Sequence, residues 1–284
     1  MKIAISAETT IDLPEELLKQ YDIQIVPFSI IMGDDCYLDG QVHSKDLFDF
    51  VDRTKKLPKT SAVNQYQYEE HFNKIKSEGC DAIIHFSLSS KISSACQNAK
   101  EVAGKMENVH VIDTLSLSTG IALQAIYASK LVKAGYPLDK ILSLIEERLP
   151  SVQASFSLES VNFLYLGGRC SMLKMLGANV LHLKPAILVK NGSMEAGKKY
   201  RGNMMRAVQG YVDDILNEFD NPDKAEVFIT YSSAPDDVVE MVRGKLKEKG
   251  FENIHTTLAG GTISCHCGPN CLGILYYNDG PHII

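Results

Sequence analysis

Short apolar runs alternate with amphipathic stretches through the first half of the chain. Ile3-Ala4-Ile5 predicts a strand, and Pro14 to Lys19 predicts a helix opened by Asp12 and acidic in its first turn. Ile23 to Ile31 predicts another strand. Ser44 is placed to cap a helix carrying Leu47, Phe48 and Val51, and Asn64-Gln65-Tyr66-Gln67 has the spacing of a capping box. Ala82-Ile83-Ile84-His85-Phe86 is short, continuous and apolar, as a parallel strand buried on both faces should be, and Val109-His110-Val111-Ile112 is of the same kind. Helical stretches near 92–105 and 117–134 lie between and after them. Strands alternating with helices of this length predict βαβ units and a mostly parallel sheet.

The second half has a less regular rhythm. Leu158 to Leu166 and Met172 to His182 predict helices split by Gly167-Gly168. Ile187 to Lys190, then Asn191-Gly192-Ser193, then Met194 to Tyr200 predicts a β-hairpin, because Asn-Gly suits a type I′ turn. A long amphipathic helix follows from about Met204 to Phe219, then Val227 to Thr230, a helix from Asp236 to Lys249, Ile254 to Leu258 and Ile274 to Tyr276. The expected fold class is α/β in two domains. Residues 1–155 form a mostly parallel sheet flanked by helices, and residues 156–284 an α/β domain with a mixed sheet. No internal repeat or low-complexity segment interrupts either half.

Composition narrows the function classes. The 284 residues are 45% hydrophobic and 23% charged, with 20 Gly and 10 Pro, which excludes collagen-like and disordered chains. A net charge of −6 offers no polyanion-binding surface, so no nucleic-acid partner and at most transient membrane contact are expected. The apolar runs fall short of the roughly 18–20 residues of a membrane span. Met1 to Ser6 lacks the apolar core of a secretory signal, so a cytoplasmic location is expected. Seven cysteines, an odd number, argue against a disulfide framework there.

Four segments carry candidate chemistry. Ser87 to Ser94 holds five serines in eight residues between a predicted strand end and a helix start. In open α/β sheets ligands bind beyond the carboxyl ends of strands, and a helix N-terminus there suits a carboxylate or phosphate; an ordinary serine N-cap is the plain alternative. Thr60-Ser61 lies in a polar loop before the predicted helix at 65–77, where an ordinary turn would serve as well. Gly167-Gly168-Arg169 places an arginine, suited to gripping a carboxylate, beside glycines that permit close backbone approach. A surface arginine in a helix–helix turn would look the same. Cys265-His266-Cys267-Gly268-Pro269-Asn270-Cys271 has soft ligands in number, but its spacing is poor for the two separated pairs of a structural zinc site, so no metal is expected. A Gly-Pro turn that leaves His266 facing a pocket fits better. No nucleophile elbow, Walker loop, dinucleotide fingerprint or zincin motif is present.

Taken in order, these segments resemble the DegV family of bacterial lipid-binding proteins, which includes the fatty-acid-binding subunits of a two-component fatty acid kinase. Ala7 to Pro14 resembles its opening Asp-Ser-Thr-x-Asp-Leu-Pro motif, with Glu8 where the family has Asp. Lys59 to Asn64 is similar to its Thr-Ser-Gln-Pro-Ser loop, and Ser89 to Ala99 to its Ser-Ser-x-Leu-Ser-Gly-Thr-Tyr-Gln-x-Ala segment. Gly167-Gly168-Arg169 and His266-Cys267-Gly268-Pro269 resemble its Gly-Gly-Arg and His-x-Gly-Pro signatures.

The resemblance implies a long-chain fatty acid in a tunnel between two domains. Its carboxylate would be held by Thr60, Ser61, Ser93, Arg169 and His266, with no cofactor. It also implies a kinase partner that makes acyl-phosphate, so that this chain is a carrier rather than an enzyme. Arg201, near the end of the predicted hairpin in Lys198-Lys199-Tyr200-Arg201, is the expected docking position at an exposed corner. Two other readings compete. One is a hydrolase or transferase with His266 as base and Ser93 or Ser61 as nucleophile; the other is a zinc-binding regulatory protein built on residues 265–271.

Overall fold

The computed structural model describes residues 1–169 and 183–282. The expected helix from Met172 to His182 lies outside the described residues.

β1 (Ile3–Glu8) runs into a 3-10 turn at Thr9–Ile11, then α1 (Glu15–Tyr21) and β2 (Ile23–Val26). Asp12 does not open α1: it takes a left-handed conformation (φ 55°), and Pro14 stands at the cap with Glu15 and Glu16 in the first turn. The strand expected over Ile23 to Ile31 is two strands, because Pro27 has no N–H to give a ladder and the Phe28 N–H is taken by Thr9 Oγ1 at 3.1 Å. After that break β3 (Ser29–Met32) pairs antiparallel with β4 (Asp35–Leu38) and, beyond α2 (Ser44–Thr54), with β5 (Lys59–Ser61). Ser44 is the first helical residue of α2 and His43 its cap, with Asp46 accepting from the His43 N–H at 2.9 Å.

α3 (Gln65–Ser77) begins with the capping box at Asn64 and Gln67. β6 (Ala82–Ser87) is buried at every position, as its unbroken apolar run requires. α4 (Ala95–Ala103), β7 (Val109–Asp113), α5 (Thr119–Lys133) and α6 (Leu138–Arg148) complete this half. β2, β1, β6 and β7 form a four-stranded sheet, all parallel, in that order.

A 3-10 turn at Leu149–Ser151 leads into β8 (Val152–Ser157), a strand whose alternation of Val152, Ala154 and Phe156 with Gln153, Ser155 and Ser157 has the two-residue period. The expected boundary at residue 155 falls inside this strand. The helix expected from Leu158 shortens to α7 (Asn162–Leu166), since the Leu158 N–H extends the ladder to Pro185 O at 2.9 Å. β9 (Leu183–Lys190) and β10 (Ser193–Arg201) form the hairpin, with Asn191 at φ 49° and Gly192 at φ 82° as a type I′ turn demands. α8 (Met204–Glu218), β11 (Glu226–Tyr231), α9 (Asp236–Lys249), β12 (Asn253–Leu258), α10 (Gly261–Cys267) and β13 (Leu272–Tyr277) follow. The second sheet is mixed and six-stranded, in the order β10-β9-β8-β13-β11-β12, with only β11 and β12 parallel.

α5 packs against strands of both large sheets, which explains why it is apolar nearly all round. α8 and α9 cover the far side of the mixed sheet. No described helix is long and apolar enough to cross a membrane.

Candidate functional site

Segments distant in sequence converge on a cavity whose empty space, mouth included, is about 780 Å³. Its wall is mainly apolar, with Phe28, Leu88, Leu117, Phe156, Leu164 and Leu275 among the lining side chains. Thr60, Ser93, Arg169 and His266 line the same space and form its polar end.

Each of the four is placed by a different device. The serine-rich turn after β6 is anchored where Ser89, fully buried, receives the hairpin tip: its Oγ donates to Gly192 O at 2.7 Å. Ser93 then takes the Ala95 N–H at 3.2 Å, and Ser94 at the α4 cap makes no side-chain cap bond. The Ser93 hydroxyl hydrogen has no acceptor among the described residues and is free for the cavity. Beneath the turn, the buried Glu8 carboxylate accepts from Ser87 Oγ (2.6 Å), Tyr68 Oη (2.6 Å) and the Leu88 N–H (2.9 Å), with His85 Nε2 at 3.2 Å. Burial raises the Glu8 carboxyl, but the His85 contact and the two hydroxyls outweigh it and hold the group below its ordinary range.

His266 comes from α10, a helix without a capping side chain of its own. Both oxygens of Asp39 serve instead, accepting from the Gly261 N–H at 2.9 Å and the Thr262 N–H at 3.1 Å. Asp12 adds a second tie, accepting from the Gly260 N–H at 2.8 Å while its other oxygen is hydrogen-bonded to Ser118 Oγ at 2.5 Å. These two aspartates, Glu8, Ser118 and Thr262 are site residues that the sequence reading does not single out.

β5 brings Thr60 Oγ1 to 2.8 Å from His266 Nε2. Burial and then the nearby Arg169 charge pull the His266 imidazole down to about 4, so the ring is neutral at pH 7. Nδ1 is buried without a partner among the described residues. The neutral ring and the Thr60 hydroxyl share this one hydrogen bond at the cavity end. Gly167 is needed for this packing: a Cβ there would stand 2.7 Å from His266 Nδ1 and 2.8 Å from Phe163 O. Arg169 is exposed and steadied by a hydrogen bond from Nη1 to Gly167 O at 2.8 Å. Ser61 is not brought in. Successive strand residues face opposite ways, and with Thr60 turned inward Ser61 is exposed.

This geometry speaks against the hydrolase reading. The partner of His266 is a threonine rather than Ser93 or Ser61, and among the described residues no carboxylate or carbonyl orients the ring from behind. Ser6, His85 and Glu8 do stand in triad order, with Ser6 Oγ 3.0 Å from His85 Nδ1, but all three are fully buried and out of reach of substrate.

Cys265, Cys267 and Cys271 are buried packing groups. Cys265 is buried with Ile30, Val42 and Leu47, while Cys267 and Cys271 line the cavity. Contact with Cys267 and then burial push the Cys271 thiol well above its ordinary value. Among the described residues no three of His, Cys, Asp and Glu come together in a way that could hold a metal ion. Cys170 lies outside those residues. Arg201 is exposed at the end of β10, an edge strand, and Lys198 beside it pairs with Asp214 at 2.7 Å.

Comparison with known proteins agrees with this architecture. The family profile described as an uncharacterised protein, DegV family, matches residues 2–279. A DegV domain-containing protein of Clostridium acetobutylicum is 30% identical over 279 residues, covering 97% of this chain and 98% of the relative. A fatty acid-binding protein of Thermotoga maritima is 25% identical over 281 residues, covering 96% of each chain. The solved structure of a DegV family protein from Thermus thermophilus, described by its fatty acid binding, superposes with a TM-score of 0.91 at 24% identity, over 98% of this chain and 100% of that one. The chain belongs to the DegV family.

Proposed function

We propose that the protein binds a long-chain fatty acid with its carboxylate at the Thr60–Ser93–Arg169–His266 end of the cavity and its tail running inward. It then presents that carboxylate to a separate ATP-using kinase, which forms the acyl-phosphate in the cytoplasm. The protein is a carrier, without a cofactor of its own, and the two α/β halves act as the two walls of the binding site. One observation carries the reading: an apolar cavity ends in the Thr60 and Ser93 hydroxyls, beside a neutral histidine and one arginine.

The energetics favour such a ligand. Stripping water from a carboxylate costs several kcal/mol unless donors replace it. Each buried CH₂ returns about 0.8 kcal/mol, so a long tail outweighs that cost where a short one does not. Ser61, turned outward, is left out of the contact set.

Protein purified from a bacterial host is expected to carry close to one equivalent of long-chain fatty acid, released by organic extraction and identified by mass spectrometry. A lipid-free protein that also takes up neither palmitate nor oleate overturns the reading. Arg201 is the proposed docking residue for the kinase, and a rim charge of this kind acts on association more than on fold. Arg201→Ala should slow acyl-phosphate formation at limiting protein several-fold and in a salt-dependent way, while lipid uptake and Tm stay as in the parent. Equal turnover across a salt series refutes the assignment.

A further inference from the structure

Beyond the head-group end, five serine and threonine hydroxyls line the cavity: Ser118, Ser155, Thr230, Ser232 and Thr262. Four are already engaged. Ser118 Oγ is hydrogen-bonded to Asp12 at 2.5 Å, and Ser155 Oγ meets Tyr211 Oη at 2.8 Å. Thr230 Oγ1 stands between Thr119 Oγ1 at 2.7 Å and Thr257 Oγ1 at 3.0 Å, and Ser232 Oγ donates to Gly268 O at 2.6 Å. Thr262 differs from all of them. It is 3% exposed, and its Oγ1 is buried with no hydrogen-bond partner among the described residues.

An orphaned buried hydroxyl costs free energy that a valine of the same shape would avoid. The backbone gives it no freedom to look elsewhere, since the Thr262 N–H is pinned to Asp39 in the first turn of α10. Its position along the cavity is also fixed. Thr262 and His266 are four residues apart on one helix, so both project from the same face about 6 Å apart along the axis. Both line the cavity, His266 with Thr60 at the polar end and Thr262 one helical turn away on α10.

The geometry points to Thr262 as a specificity-determining contact for an oxygen carried on the acyl chain itself, so that the cavity prefers a hydroxy fatty acid to the plain one. This inference rests on the fatty-acid reading above. With the carboxylate beside His266, one helical turn is the reach of the first few carbons of an extended chain. The matching hydroxyl is then on the third to fifth carbon. There it partners the Thr262 oxygen, and the apolar wall takes the remaining tail.

The test uses the full-length protein stripped of lipid and titrated with palmitate, 3-hydroxypalmitate and 5-hydroxypalmitate. The readout is the ratio of affinities, compared among the parent, Thr262→Val and Thr262→Ser. The parent is expected to bind at least one hydroxy acid about five- to ten-fold more tightly than palmitate, the scale of one net hydrogen bond. Thr262→Val should bring that ratio close to one, and Thr262→Ser should keep it. A parent ratio near one, or a preference that survives in Thr262→Val, overturns the assignment and leaves fatty-acid binding standing. Failure of all three acids to bind the parent overturns the fatty-acid reading itself, and this inference with it.

Discussion

Glu8→Ala should lower the stability of the folded protein by about 3–5 kcal/mol, the range seen when one member of a buried charged cluster is removed. The carboxylate is fully buried and accepts from Tyr68, Ser87 and the Leu88 N–H, with His85 Nε2 at 3.2 Å. Deleting it strands the Leu88 N–H and strips Tyr68, Ser87 and His85 of their shared buried acceptor. The network reaches further, because Ser6 Oγ lies 3.0 Å from His85 Nδ1 and 2.7 Å from His71 Nε2. Burial and the neighbouring His85 pull His71 down to about 3. The effect on the binding site follows from position, since Ser87 and Leu88 begin the turn that carries Ser93. Glu8→Gln keeps the shape but turns an amide NH₂ toward donors, so its loss should be intermediate.

The pH dependence of this contribution has a definite sign. The folded Glu8 carboxyl lies below its unfolded value of 4.5. Its stabilisation is therefore complete above about that pH and is lost as pH falls through the folded value. Denaturant titrations of parent and Glu8→Ala from neutral pH down to about pH 2 measure both effects. A loss under about 1 kcal/mol at pH 7 would mean the cluster contributes far less than its burial implies.

What could be read from the chain was local. β6 announced itself because six consecutive buried positions leave no room for a polar alternation. The capping box at Asn64 and the Asn191-Gly192 turn are short patterns whose backbone geometry follows from the residues themselves. α10 was not legible for the opposite reason: its capping carboxylate, Asp39, is 222 residues away from Gly261. β8 carries a clear two-residue alternation, but its polar positions are buried rather than solvated, which disguises a core strand as a linker. Thr60, Ser93, Arg169 and His266 came from motif order, and the structure brings them to one cavity end. Ser61 dropped out through strand alternation alone. Glu8, Asp12 and Thr262 act through contacts that no spacing rule encodes.

Asp12 should make the protein lose stability as pH rises from about 4 to about 8, and Asp12→Asn should remove that loss. The carboxyl is fully buried between Ser118 and the Gly260 N–H. Burial raises it from 3.8 to about 8, against the lowering from those two hydrogen bonds, with the nearby Asp39 charge adding to the rise. The folded state thus keeps a proton that the unfolded chain releases above about pH 4. Asp12's contribution is complete below the unfolded value and is lost as pH rises through the folded one, by an amount of about 2–5 kcal/mol between pH 4 and pH 8. Asparagine mimics the protonated form: its Nδ2 donates to Ser118 Oγ, its Oδ1 still accepts from Gly260, and it tolerates the left-handed φ of 55°. Subtracting the variant's stability from the parent's at each pH isolates this one group from all others that titrate. The expected difference favours the variant increasingly from pH 5 to pH 8, whereas Asp12→Ala, which strands the Gly260 N–H at the start of α10, should be less stable than Asp12→Asn throughout. Parallel pH curves for parent and Asp12→Asn would show that Asp12 is ionised in the fold and that its two hydrogen bonds outweigh its burial.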